Sequence, residues 1–192
     1  MKARTRWIGI AAALVLLAVI VLGMRSMTQS GDGWKLRGGT LTISRNEASD
    51  VLMTQFYQIE EGSIRKLEIL EGVTELKAQS FMGCKNLREV HLPEGLQTIG
   101  FGAFYGCEDL QELVLPQSLN ELGDEALAEC RSLERLVFLG ERPVQMGQDV
   151  LRGCSGLKTL VLPPQAKEHW EEWKQVLPDS LWEQVEFNSV IS

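Results

Sequence analysis

The chain has 192 residues, 26 of them acidic and 19 basic, for a formal net charge of −7. Its 44% hydrophobic and 23% charged content suit one folded domain with a short extension, not a disordered or fibrous chain. The acidity repels phosphate and argues against a nucleic-acid partner. The first 25 residues run the other way, with Lys2, Arg4, Arg6 and Arg25 and no acid.

Residues 1–26 read as a basic leader and an uncharged apolar run, Trp7 to Gly23. Seventeen residues at about 1.5 Å each span roughly 26 Å, the short end of a membrane-crossing helix. No polar residue gives the run a wet face, which disfavours a soluble helix. The leader predicts a cytoplasmic N-terminus, with the rest exported. Two readings stand. One is an uncleaved signal anchor, single-pass, with the C-terminal domain outside the cytoplasm. The other is a cleaved signal peptide, with Val21 and Gly23 as its small-residue site, and a secreted product. Residues 27–33, "MTQSGDG", read as a flexible tether.

Residues 34–63 read as an N-terminal cap. "WKLR" and "TLTI" are two strands joined by a Gly38-Gly39 hairpin, with Leu41 and Ile43 placed to cover the first coil. Residues 45–63 read as a short helix or loop completing that cap.

From residue 64 to residue 164 the chain repeats itself. Ile64, Leu87, Leu110 and Leu133 stand 23 residues apart, and Leu157 comes after 24. Each opens an L-x-x-h-x-h pattern: "IRKLEI", "LREVHL", "LQELVL", "LERLVF", "LKTLVL". Alternation turns the fourth and sixth residues to one face of a short strand. Pro93, Pro116 and Pro163 end three of the runs. The second half of the unit repeats as well: "GVTELKAQSF", "GLQTIGFGAF", "SLNELGDEAL". A coil of 23 residues cannot bury its own apolar side, whereas stacked coils share a continuous core. The spacing predicts a right-handed solenoid of about five coils, mostly strand and loop, with a parallel sheet along one side.

"AFYGCEDLQELVLPQSLNELG" and "FMGCKNLREVHLPEGLQTIG" resemble the bacterial BspA-like leucine-rich repeats. The resemblance covers roughly residues 62–164 and extends to the opening strand pair. It implies an α/β-type solenoid and a role in adhesion or surface recognition. Leu70 and Leu139 depart from the proline of the pattern, and Leu127 and Leu151 from its phenylalanine.

Residues 165–192 read as a C-terminal cap. Ala166 to Leu177 has helical spacing, with Trp170, Trp173 and Leu177 in one apolar stripe. The stripe either covers the last coil or receives a partner.

No catalytic, metal or cofactor constellation appears. His169 in "KEHWEEW" lacks the spacing that sets two histidines on one helix face. Cys84, Cys107, Cys130 and Cys154 are spaced 23, 23 and 24, in step with the coils. They read as buried structural thiols at a coil corner, not as a disulfide framework or a zinc site, since a linear ladder cannot converge on one ion. The sheet carries the one informative surface. Between inward residues lie outward columns: Glu68, His91, Val114, Val137, Val161, beside Lys66, Glu89, Glu112, Arg135, Thr159. Val114, Val137 and Val161 read as an exposed apolar stripe rimmed by Glu112 and Arg135. That face is the candidate site for a protein or peptide partner; plain β-propensity is the simpler explanation of the valines. The expected function is a membrane-anchored binding or adhesion module. A scaffold for an envelope membrane complex is the alternative, and no enzyme activity is expected.

Overall fold

Alternating apolar residues, cut at fixed intervals by turns, wind the chain into stacked coils. The structure, a computed structural model, describes residues 28–49, 51 and 61–188. The leader and apolar run of residues 1–26 lie outside these, as does half of the stretch between the hairpin and the first repeat. Among the described residues, no helix is long and apolar enough to cross a membrane.

Strands β1 (Gln29–Gly31), β2 (Trp34–Arg37) and β3 (Thr40–Ile43) form an antiparallel meander. Strand β1 corrects the reading of residues 27–33 as tether. Its three residues are all exposed, so no alternation betrays it. The signal lay in Asp32-Gly33, a two-residue hairpin turn with Gly33 at φ +78°. Strand β3 then runs parallel to β4 (Lys66–Ile69), pairing Leu41 with Leu67 and Ile43 with Ile69. The second hairpin strand is therefore the first rung of the parallel sheet.

The remaining rungs are β6 (Glu89–His91), β8 (Glu112–Leu115), β10 (Arg135–Phe138) and β12 (Thr159–Leu162). Across the coil, short strands β5 (Glu75–Leu76), β7 (Thr98–Ile99), β9 (Glu121–Leu122) and β11 (Gln145–Met146) make a second parallel sheet. Last, β13 (Val185–Phe187) pairs parallel to β12, a rung with no repeat signature of its own.

The main sheet has a seam. One section runs β1-β2-β3-β4-β6 and the other β8-β10-β12-β13, and no pairing joins β6 to β8. Elsewhere the residue ahead of a strand donates its N–H to the coil before: Arg65 to Gly39, Arg88 to Arg65, Glu134 to Gln111, Lys158 to Glu134, at 2.8–3.0 Å. Among the described residues, Gln111 makes no such bond to Arg88. Burial agrees, because Val90 of β6 and Leu92 just after it are half-buried while Leu113 and Leu115 of β8 are fully buried. The second sheet is unbroken here, pairing Ile99 with Leu122.

Inside, equivalent residues stack from coil to coil. Leu87, Leu110 and Leu133 are fully buried, as are Leu76, Ile99 and Leu122, and Phe81 stacks on Phe104 at 5.5 Å. Each such side chain contributes about 1.5–3 kcal/mol by leaving water, but only when a neighbouring coil is present. Two backbone sites per coil are left-handed. Gln79, Gly102, Glu125 and Asp149 have φ of 58, 56, 54 and 56°; Gly83, Gly106, Glu129 and Gly153 have 77, 69, 60 and 76°.

At the C-terminal end, Pro164–His169 is a 3-10 turn and only α1 (Trp170–Val176) is α-helix, shorter than the helix predicted over 166–177. The proline pair at 163–164 starts the segment in tight turns. Trp173 is fully buried and edge-on to Phe138 at 5.0 Å, and its Nε1 donates to the Glu141 carbonyl at 3.0 Å. Trp170 is half-buried, edge-on to Phe187 at 5.5 Å.

Candidate binding face and cysteine ladder

The parallel register builds the outward column that the repeat predicts. Glu68 pairs with His91, Val114 with Val137, Val137 with Val161, and Val161 with Glu186. The step from His91 to Val114 crosses the seam. His91 is exposed, and Glu68 and Val114 are half-buried. Val137 and Val161 are 0% exposed, which corrects the expected stripe of three exposed valines. Neither belongs to the continuous core cluster. Alternation fixes which face a strand residue points to, not whether water reaches that face. Water therefore reaches the column along its N-terminal half and again at Glu186, with Val137 and Val161 covered between them.

The neighbouring column is charged and self-paired. Lys66 reaches Glu68 at 3.0 Å and Glu89 at 3.8 Å, and Arg135 reaches Glu112 at 3.8 Å. The hydrogen bond with Glu68 raises the Lys66 pKa above its ordinary value. Glu112 and Arg135 keep side-chain exposures of 53% and 37%, so both remain available to a partner. Exposed pairs of this kind orient side chains more than they stabilise a fold. Val114, Glu112 and Arg135 thus lie on one open stretch of the sheet, with His91 on the strand across the seam, and burial removes Val137 and Val161 from it. His169 lies away from it on the C-terminal segment, its Nδ1 3.0 Å from Glu172 Oε1. Among the described residues, no three His, Cys, Asp or Glu side chains are placed to hold a metal ion.

The cysteines form a ladder. Cys107 Sγ donates to the Phe81 carbonyl at 3.4 Å, Cys130 to Phe104 at 3.2 Å, and Cys154 to Leu127 at 3.1 Å. In each case the acceptor lies three residues before the cysteine of the preceding coil. That carbonyl already accepts the backbone N–H of its own coil's cysteine at 3.2–3.3 Å, so the thiol adds a second, weak donor of small volume. Cys84, Cys107 and Cys130 are buried, as the repeat predicts, whereas Cys154 is only half-buried. Burial pushes the Cys107 thiol well above its ordinary pKa. The neighbouring Cys154 raises the Cys130 pKa, with burial adding to it, and Cys130 lowers that of Cys154 against the opposing effect of burial.

Cys154 opens onto a cleft of about 360 Å³ between the last coil and the turn after α1. Its walls include Val150, Leu151 and Leu157 of the coil and Val176, Pro178 and Leu181 of the C-terminal segment. The cleft occupies the place of the next coil: α1 packs on the strand end at Phe138 and leaves this corner open. Sequence reasoning missed it. The available signal was that Cys154 belongs to the last coil, where Leu151 stands in place of phenylalanine and no further cysteine corner comes after it.

Two parallel sheets joined by regular corners, around a leucine-rich core, define a leucine-rich repeat solenoid. Residues 53–171, more than half the chain, match the BspA type leucine rich repeat region in six copies, and the chain belongs to that family. The match is one copy longer than the five coils legible in the period. Among solved structures, the chain is similar to the pneumococcal vaccine antigen PcpA, with a TM-score of 0.54 and 19% identity over 86% of this chain and 48% of that one. It is also similar to a leucine-rich repeat protein of Bacteroides ovatus (TM-score 0.48, 22% identity, 67% of this chain and 31% of that one). A third likeness is to the T. pallidum leucine-rich repeat protein (TM-score 0.47, 22% identity, 72% of each chain). The chain spans less than half the length of the first two of these. No curated protein matches it.

Proposed function

We propose that this chain is a binding module that recognises a protein or peptide partner on the open half of its parallel sheet. The apolar run at residues 7–23 anchors it in a membrane, and the solenoid is displayed outside the cytoplasm. The observation that carries the binding assignment is the patch of His91, Val114, Glu112 and Arg135. It combines an apolar centre and an imidazole with one acidic and one basic arm, beside a break in the strand ladder. Sheet faces of this kind give shape complementarity from the rigid stack and specificity from the charged columns. The basic leader and the uncharged run support the anchor and its orientation.

The test compares capture of surface proteins by the full-length chain and by its Val114→Glu variant, with thermal unfolding as a control on folding. Val114 is half-buried on the outward face, so the variant is expected to fold. A partner held by the unaltered chain and lost by the folded variant supports the reading. A partner retained equally by both overturns this face as the site.

A further inference from the structure

The cleft at the open end of the stack turns one rung of the thiol ladder into a reactive site. Cys154 Sγ and the Cys130 backbone N–H share the Leu127 carbonyl, at 3.1 and 3.3 Å, which sets these two cysteines side by side. Access then decides which cysteine can react. Cys84, Cys107 and Cys130 are sealed in the core; Cys154 alone of the four is half-buried and lines a cavity. The wall of that cavity is mostly apolar, with Asp149 and Arg152 among its polar members. Arg152 is occupied by Glu125 at 2.9 Å and Glu129 at 3.5 Å, so it offers no free charge to an entering group.

We infer that Cys154 and Cys130 form a thiol pair that exchanges with small, uncharged organic disulfides entering this cleft. Cys154 loses its proton to solvent through the cleft, and the thiolate attacks one sulfur of R–S–S–R. A Cys154–S–S–R bond forms and RS⁻ leaves. Cys130, whose S–H faces the Phe104 carbonyl in the resting ladder, then attacks the Cys154 sulfur. The Cys130–Cys154 bond forms, the second RS⁻ leaves, and the Cys130 proton goes with it. Two protein thiols are oxidised and one disulfide is reduced to two thiols. Cys154 beside it, with burial, raises the Cys130 pKa, and Cys130 lowers that of Cys154, as this order requires.

Dithiodipyridine provides the probe, because its leaving thione absorbs light and its ring is small and uncharged. The folded full-length chain is expected to release about two equivalents of thione in a fast phase, retaining no adduct and losing two hydrogens by mass. Cys130→Ser should release about one equivalent and retain the adduct on Cys154. Cys154→Ser should lose the fast phase altogether. The circular dichroism of both variants checks that they fold. A fast phase that survives in Cys154→Ser, or an adduct retained by the unaltered chain with no second release, overturns the pairing. So does an absence of any reaction before unfolding.

Discussion

Gly153 lies directly beneath Glu129, its counterpart one coil earlier: a Cβ built on Gly153 would fall 2.6 Å from Glu129 Oε1. Both residues are left-handed, at φ 76° and 60°, and the Glu129 carboxylate reaches Arg152 at 3.5 Å and Arg131 at 3.3 Å. The corner thus uses glycine in one coil to make room for a strained glutamate in the previous one. Gly153→Ala should destabilise by about 1–2 kcal/mol, mostly from the left-handed backbone, since the carboxylate can swing aside. Gln79→Gly relieves the same backbone cost at another left-handed corner. After the added unfolded-state entropy of glycine is subtracted, it should stabilise by about 0.5–1 kcal/mol. Glu129→Gly gains as much and loses exposed ion pairs worth at most about 1 kcal/mol, so it should be near neutral. Urea midpoints of the three variants give the order.

Glycine has a different reason at the exit of the second sheet. A Cβ on Gly123 would lie 2.6 Å from the Phe101 backbone nitrogen, and one on Gly147 2.4 Å from that of Asp124. Backbone cannot yield as a side-chain tip does. Gly123→Ala should cost about 2–3 kcal/mol by overpacking. Gly95→Ala, whose Cβ would meet nothing within 4 Å, should be neutral or slightly stabilising. Thermal unfolding of the pair separates contact from chain entropy, and equal losses would show that close approach is not what selects glycine there.

Trp173 joins the C-terminal segment to the stack. Removing a fully buried indole that touches Phe138 and bonds the Glu141 carbonyl should cost about 3–5 kcal/mol. Trp170→Ala, at a half-buried ring, should cost less. A denaturation curve for Trp173→Ala that overlays the unaltered chain would show that the contact does not hold the end of the solenoid. The burial of Trp173 also withdraws it from any partner, which leaves the aromatic stripe a packing device.

How legible each feature is in the sequence depends on how it is encoded. Leu87, Leu110 and Leu133 announce their coil because burial demands an apolar side chain at every turn of the stack. The cysteine corners are equally plain, since each of three thiols packs against a carbonyl of the coil before it. Strand β13 is not announced, because it pairs through backbone groups that any sequence carries. The exposure of Val137 and Val161 was misjudged for a related reason: period two assigns a side of the sheet and says nothing of what lies over it. The candidate patch, His91 and Glu112 with Val114 and Arg135 beside them, was legible as columns. The seam beneath it was not, because β6 and β8 carry the same L-x-x-h-x-h text as the rungs that do pair.

The two left-handed columns carry a consequence for how such a chain changes length. Each coil closes on nearly the same pair of dihedrals, 54–58° and 60–77°, whether the residue is glycine, glutamine, glutamate or aspartate. The path of the corner is thus independent of the letter written there. A block of 23 residues, cut between equivalent corners, leaves and rejoins the stack in the same direction, so the array can gain or lose whole coils without re-aiming what lies beyond. Length is then a quantity that duplication and deletion can tune in single steps, while the hairpin at one end and Trp173 at the other meet the same surface each time.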